Sequence, residues 1–579
     1  MKTNSAFAFA ISLLVFIAGC SGSEHSAQGT DTTANCNGSC ASSSSALTVA
    51  DAQRVIAQGV AEAQAQNTQA TIAVVDRVGN VLAVYRMGSA ATRRVTIASV
   101  LNGSGNAVIS GGLEGVRLPV TPAPVNLDDQ AAIAKAITGA YLSSEGNAFS
   151  TRTASQIVQE HFNAGEAFQP SGPLFGVQFS QLACSDLMRA YNGVGPSVGP
   201  QRSPLGLSAD PGGFPLYKSG TVVGGVGVIA DGVYGLDKNI ADQDRNSDEM
   251  IAYAASYGFA APLDRRADRI TADGRTLRFS DVEFTDLTRV PATAPAFSTL
   301  TPAIGALIAT LGYSNGAVQA GTVFGQAASG VRADTENNFP GADAFVLVDA
   351  ANTLRYPPRA GTDALPGGAS LTQAEVTQVI RSALAVANRS RAQIRRPLDS
   401  TARVTVSIVD TLGEVLGVAR TRDAPIFGTD VSLQKARSAV FLSSSTAATF
   451  LTALPNAKYP TLTDTTVGVV RQITLGDYVT ATRTFLGSAT GLGDGQIAFS
   501  DRAIGNIARP NFPDGIDGAA NGPLSKSMNE WSVFNVGLQL DLSLNAILQH
   551  VLHTAGAGIA DVTPGCAGVD LANNFATAT

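Results

Sequence analysis

Residues 71–87 read TIAVVDRVGNVLAVYRM, and residues 405–421 read TVSIVDTLGEVLGVART. Each is a pair of apolar, β-branched runs around Asp-x-x-Gly, and each carries an arginine near its end, Arg86 and Arg420. Runs of this length and composition, broken by a turn, predict two strands. The glycine supplies a positive φ and the aspartate carboxylate accepts turn amides, so each phrase predicts a β-hairpin.

Working outward, Leu47-Thr48 with Ala50, Val55 and Ile56 matches Leu371-Thr372 with Ala374, Val379 and Ile380. In both, a threonine N-cap precedes apolar residues at helical spacing, which predicts a helix before each hairpin. A second helix follows each hairpin: Lys135-Ala136 leads to Leu142-Ser143-Ser144, and Lys435-Ala436 to Leu442-Ser443-Ser444. Three matching elements in one order predict a duplicated unit. At 579 residues the chain is also too long for one core.

The expected organisation is a leader (1–20), a tether (21–45), a first domain (46–262), a connector (263–369) and a second, diverged domain (370–579). The first domain carries a β-rich insertion at 88–126. It ends with Gly212-Gly213-Phe214-Pro215-Leu216 and TVVGGVGV (221–228). The second ends with Pro523-Leu524 and WSVFNVGLQL (531–540), without the paired glycines. In the connector, residues 275–284 and 343–351 read as strands and residues 302–311 as an apolar helix.

This set resembles the GlcG/HbpS-like heme-binding family. The residues that carry the resemblance are Leu47-Thr48, Thr71 to Asp76 with Gly79, Arg86-Met87, Lys135-Ala136, Gly212 to Leu216 and Gly220 to Val228. The second copy repeats the first half of the set. The resemblance implies an α/β fold of the α+β kind: two modules, each a central antiparallel sheet flanked by helices. It also implies heme as a cofactor, held in some members by a histidine near the first helix. Residues 51–67 and 372–388 contain none.

The N-terminus reads as a targeting segment. Lys2 precedes an apolar run at 6–18, too short for a comfortable span, and Ile17-Ala18-Gly19-Cys20 resembles a bacterial lipobox. Cys20 is the expected lipidation site, which predicts a lipid-anchored protein of the cell envelope, at the outer membrane, facing the periplasm or the exterior. A signal peptide with an incidental cysteine is the plainer alternative. Residues 22–45 are a polar tether holding Cys36 and Cys40, candidates for a small disulfide. Cys184 and Cys566 read as separate buried or unassigned thiols. A net charge of −7 excludes a basic nucleic-acid surface; the partners expected are a small ligand, the membrane and an envelope protein.

Four histidines limit the chemistry. His161, in SQIVQEHF (155–162), is a candidate heme ligand or a capping histidine. His550 and His553 stand on one helix face, a candidate metal pair with no third ligand nearby. Arg86, Met87 and Lys135 are candidates to face one pocket and bind carboxylates; the alternative is a strand-end arginine and a solvated helix lysine. Asp242, Asp244, Asn246 and Asp248 alternate as in a calcium loop, with Ser247 and Tyr253 breaking the EF-hand pattern. They form a Ca²⁺ candidate, or else a cap on the helix that follows. No Walker loop is present, and too few histidines lie near suitable serines for a nucleophilic hydrolase. The function expected is ligand binding, with a calcium-held scaffold and a heme-dependent redox accessory as alternatives.

Overall fold

The computed structural model describes residues 45–89, 94–102, 104, 106–118, 127–163, 165–193, 195–363, 368–460 and 471–570. Cys20, His25, Cys36 and Cys40 lie outside the described residues. No helix among those described is long and apolar enough to cross a membrane.

Helix α1 (Val49–Ala65) starts where Thr48 accepts the Asp51 amide and Asp51 returns a bond to Thr48, closing both orphan donors. Strands β1 (Thr71–Asp76) and β2 (Val81–Met87) form the first hairpin, with Thr71 opposite Arg86 and a bulge at Val74/Val75. Helix α2 (Asp128–Leu142) and the short α3 (Thr151–Ile157) follow. Then come β3 (Gly213–Lys218), β4 (Thr221–Ile229) and α4 (Ser247–Ala255). β5 (Gly305–Leu307), from the connector, completes an antiparallel sheet in the order β5-β2-β1-β4-β3.

Alternation along β4 sets the two faces of this sheet. Ile72 lies opposite Val228, on the face where α1 and α4 pack against Gly59. Gly225 and Gly227 face α2, where an added Cβ would sit 2.2 Å from the Ala136 carbonyl oxygen and 2.1 Å from that of Ala132. The glycine-rich run is thus the strand on which α2 rests directly.

Residues 302–311 are not the expected helix. Gly305 lies opposite Met87 and Leu307 opposite Tyr85. The outer edge of β2 would otherwise carry unpaired amides, and β5 pairs with them. The 275–284 run is strand only at Arg275–Thr276.

The second sheet has the order β6-β7-β9-β8, all antiparallel, with β6 (Val331–Ala333), β7 (Ala344–Leu347), β8 (Thr405–Val409) and β9 (Val415–Thr421). Helix α5 (Gln373–Ala387), with a Thr372–Glu375 capping box, covers one face. Helix α6 (Gly428–Leu442) lies on the other, where the hydroxyls of Ser407 and Ser432 meet at 2.6 Å. Thr405 lies opposite Arg420 and the bulge falls at Ile408/Val409, the geometry of the first hairpin. β7 holds the edge of β9 as β5 holds that of β2. No described strand pairs with the outer edge of β8, where β4 would stand in the first sheet.

The aspartate of each phrase ties its hairpin to the connector. Asp76 accepts the amides of Val78 and Asn80 and both the amide and hydroxyl of Thr322. Asp410 accepts Leu412 and Glu414 and the same two groups of Thr362. Gly79, at φ +87°, also leaves room for the Tyr141 hydroxyl, 2.4 Å from where a Cβ would stand.

Beyond α6, α7 (Asp501–Ile507) begins at Ser500 as α3 begins at Ser150, and α8 (Leu538–Thr554) follows. Phe149-Ser150, Arg152, Ile157, Phe162 and Gly172-Pro173-Leu174 recur as Phe499-Ser500, Arg502, Ile507, Phe512 and Gly522-Pro523-Leu524. Leu174 bonds to the Ile157 carbonyl at 2.8 Å, and Leu524 to that of Ile507 at 3.0 Å. Cys184 and Cys566, read from the sequence as separate thiols, form a disulfide across 382 residues. Folding brings the loop after α3 beside the segment that follows α8, a closeness invisible in the sequence.

Candidate functional site

The sequence candidates do not meet in one pocket. Arg86 turns to Asp128, donating from Nε at 2.6 Å and Nη2 at 2.9 Å. Asp128 also accepts the Thr71 hydroxyl, so the arginine clamps the start of α2 to the hairpin. Burial and the neighbouring Asp128 push the Asp129 carboxyl up to about 6. Met87 is buried under the pairing with β5.

Lys135 is fully buried, not on a solvated face. Its Nζ lies 2.5 Å from Asp210, 2.6 Å from Asp248 and 2.9 Å from the Pro211 carbonyl. One ammonium cannot neutralise the acids around it. Burial pushes Asp210 up to about 6 despite Lys135 beside it. This cluster pins α2 to α4 and offers no open coordination site.

Asp248 is therefore lost to the calcium candidate. Asn246 caps α4 through the Glu249 amide, and Asp242 accepts from Asn239. Asp237, Asp242 and Asp244 each offer an oxygen within 4.8 Å of the others. Arg152 already reaches Asp237 at 2.8 Å and Asp244 at 3.1 Å, so the string is neutralised from within. The helix-capping alternative describes it better.

Each of the three described histidines has at least one ring nitrogen engaged. His161 Nε2 meets Asp517 at 2.8 Å, joining the α3 loop to its counterpart after α7. His550 lies between Asp561 and the Tyr313 hydroxyl, at 2.6 and 2.8 Å. His553 Nδ1 meets the Ile559 carbonyl. His550 and His553 share the Asp561 carboxylate, at 2.6 and 3.8 Å.

What the sequence left unassigned is the contact between the two halves. Here Asp423 is fully buried and accepts Arg77 from the first hairpin turn and Arg395, both at 2.6 Å. It also accepts the Glu145 amide at 3.1 Å. Arg77 lies over the Phe324 ring at 3.7 Å. Burial, then Asp423, pushes Glu145 up to about 7. Arg420 donates to the carbonyls of Ala424 and Pro425, and burial and Arg77 bring it down to about 9.

Beside this cluster, where the second sheet ends at β8, is a cavity of about 580 Å³. Its apolar walls include Phe149, Phe162 and Leu174 from the first half, and Val404, Phe427 and Val431 from the second. Arg395, Arg403 and Lys435 line it as well, against one acid at the rim, Asp273. Arg395 is committed to Asp423 and the Ser144 hydroxyl. Arg403 is half-buried and makes no hydrogen bond or ion pair among the described residues, and its Nε is shut off from solvent. An adjoining cavity of about 540 Å³ shares Val431 and Lys435, but its inner arginine, Arg509, lies over Phe175 and faces Asp514.

The size lies within the range of small-ligand sites, and apolar walls with an unspent guanidinium suit an apolar carboxylate. For heme the fit is partial. The walls and cations suit a macrocycle with acidic side chains, but among the described residues no histidine, cysteine, methionine or tyrosine lines the cavity, so none of them resembles an axial ligand.

The arginine loop had a legible signal. Between α5 and β8 the chain runs from 388 to 404, against 66 to 70 between α1 and β1, and five arginines fall at 389, 391, 395, 396 and 403.

Fold and cavity together define an α+β protein built on two hairpin-and-helix units, with an apolar, cationic site where the halves meet. Residues 47–100 match the family model described as "HbpS-like: Haem degrading protein HbpS-like". That match covers the first helix and first hairpin, so the GlcG/HbpS-like signature stands there. No curated protein matches the chain. Among solved structures, a PduOC–heme complex is 17% identical, covering 37% of this chain and 94% of its own, with a TM-score of 0.20. Klebsiella pneumoniae protein ORFY, of family-model DUF336, is 19% identical, covering 37% and 92%, with a TM-score of 0.19.

Proposed function

We propose that this chain is a lipid-anchored binding protein of the cell envelope whose ligand is heme or a related small apolar acid. The observation that carries the reading is Arg403, an unpaired and half-buried guanidinium on the wall of an apolar cavity. A buried donor without a partner costs on the order of 1–3 kcal/mol, which a bound carboxylate would recover. The HbpS-like signature, whose family description names haem, favours a tetrapyrrole among such acids. The second hairpin unit would be a diverged copy of the first that contributes the cavity's open flank. The lipobox at Cys20 supports the anchor, and the Cys184–Cys566 disulfide suits an oxidising compartment.

Titration with hemin tests the ligand. A Soret change saturating at one equivalent is expected, and no change at stoichiometric hemin would sink the reading. Fractionation tests the anchor: Cys20→Ala is expected to move the protein out of the membrane fraction.

A further inference from the structure

We propose that the cavity between the halves recognises its ligand's carboxylates through Arg403 and does not read a metal, so that a metal-free porphyrin acid binds as well as heme. This rests on the reading above and goes beyond it by naming what the site discriminates.

The charges around the cavity are unbalanced. Arg77 and Arg395 both lie on Asp423, and Arg420 donates to carbonyl oxygens alongside a shared contact with the Thr405 hydroxyl. Arg403 is near enough to Arg395 for the two cations to repel; Asp423, Asp343 and Glu145 act on it only through space, and among the described residues none of them bonds to it. The second acid in the group, Glu145, has its charged form disfavoured by burial and by Asp423. An arriving carboxylate therefore meets a half-buried cation whose donors are unspent and whose Nε is shut off from solvent. Charge-assisted bonds of this kind are about twice as strong as neutral ones, and the planar guanidinium is suited to a bidentate carboxylate.

Nothing in the cavity performs the corresponding task for a metal. The histidine nearest to it, His161, precedes the wall residue Phe162 but is bonded to Asp517. His550 and His553 are bonded to Asp561 and the Ile559 carbonyl. Methionines and tyrosines are absent from the lining, and the two described cysteines are in the disulfide. Discrimination must therefore come from shape, apolar area and acidic groups, which iron-loaded and iron-free macrocycles share.

The test is a set of titrations of the full chain with hemin, protoporphyrin IX and protoporphyrin dimethyl ester, read by quenching of its single tryptophan, Trp531. Protoporphyrin is expected to bind within threefold of hemin, and the ester at least tenfold more weakly. Arg403→Ala is expected to weaken both acids at least tenfold and leave the ester unchanged, with Arg403→Lys in between. Because Arg403 makes no internal bond, the melting temperature of the alanine variant should match the parent's. Hemin binding more than 30-fold tighter than protoporphyrin, or an ester equal to the acids, would overturn the inference while leaving heme binding intact. Failure of all three ligands to bind would instead overturn the functional reading on which it stands.

Discussion

Asp423 joins the halves through two buried ion pairs. Its two oxygens receive Arg77 and Arg395 from opposite sides, and burial leaves no water to take its place. The two guanidiniums and the Glu145 amide hold its carboxyl below the usual carboxylate range even though burial opposes this. Removing one member of such a group leaves the others charged and unpaired, which costs about 3–5 kcal/mol. Asp423→Asn is therefore expected to destabilise by roughly that amount in urea unfolding, against less than about 1 kcal/mol for Asp343→Asn, whose pair with Arg422 is exposed. Equal effects would mean that Asp423 is not the tie between the halves. This residue had little to mark it in the sequence, since it stands two positions past the repeated phrase and its partners lie at 77 and 395. Arg86 shows the converse. Its position in a repeated motif drew attention to it, but the acid that occupies it, Asp128, lies beyond an insertion of nearly forty residues.

At the scale of elements, the hairpins, the capped helices before them and the helices after them were legible because each is local: a turn residue, a cap, an apolar period. The edge strands were not. β5 and β7 are three and four residues long, chosen by the free edge beside them and not by a pattern of their own. A short string did announce the straps. Ala320-Gly321-Thr322 recurs as Ala360-Gly361-Thr362, and each Gly-Thr lies against a hairpin aspartate. Gln319 bonds to the Leu82 carbonyl and Arg359 to that of Leu416, both at 2.8 Å, so the straps meet equivalent positions of the two hairpins. They differ in depth. Asp76 is wholly buried and burial raises its pKa, whereas Asp410 is held low by the bonds it accepts from Thr362 in spite of partial desolvation. Thr322→Val is expected to cost about 1–2 kcal/mol, because it leaves a buried carboxylate oxygen short of a donor. Thr362→Val should cost less, as Asp410 is less desolvated than Asp76. Chemical denaturation of the two variants checks this, and a larger loss at Thr362 would reverse the assignment of the deeper strap.

For the whole molecule, apolar residues from Leu47 in α1's approach to Val551 in α8 join one buried cluster, so the halves share a core as well as a charged contact. That core encloses an unusual set of acids. Asp129 and Asp210 are pushed up to about 6 and Glu145 to about 7, each chiefly by burial. In the unfolded chain such groups titrate near 4. Between about pH 4 and these raised values the folded state holds more protons than the unfolded one, so stability falls as pH rises through the window. Asp423 and Asp561 work in the opposite sense: their pKa values are lowered, and their contribution is lost as pH falls below about 4. The two trends place the maximum near pH 4. These groups are not independent, since Asp128 faces Asp129 and Asp423 faces Glu145, which limits the combined effect to on the order of 2–4 kcal/mol between pH 5 and pH 8. Thermal melts at constant ionic strength should show the melting temperature falling across that interval. Glu145→Gln should flatten the part between pH 6 and 8 and leave the acid limb below pH 4 in place. A melting temperature that rises from pH 5 to pH 8 would mean that these carboxyls ionise freely in the fold, and that the core does not enclose them as described.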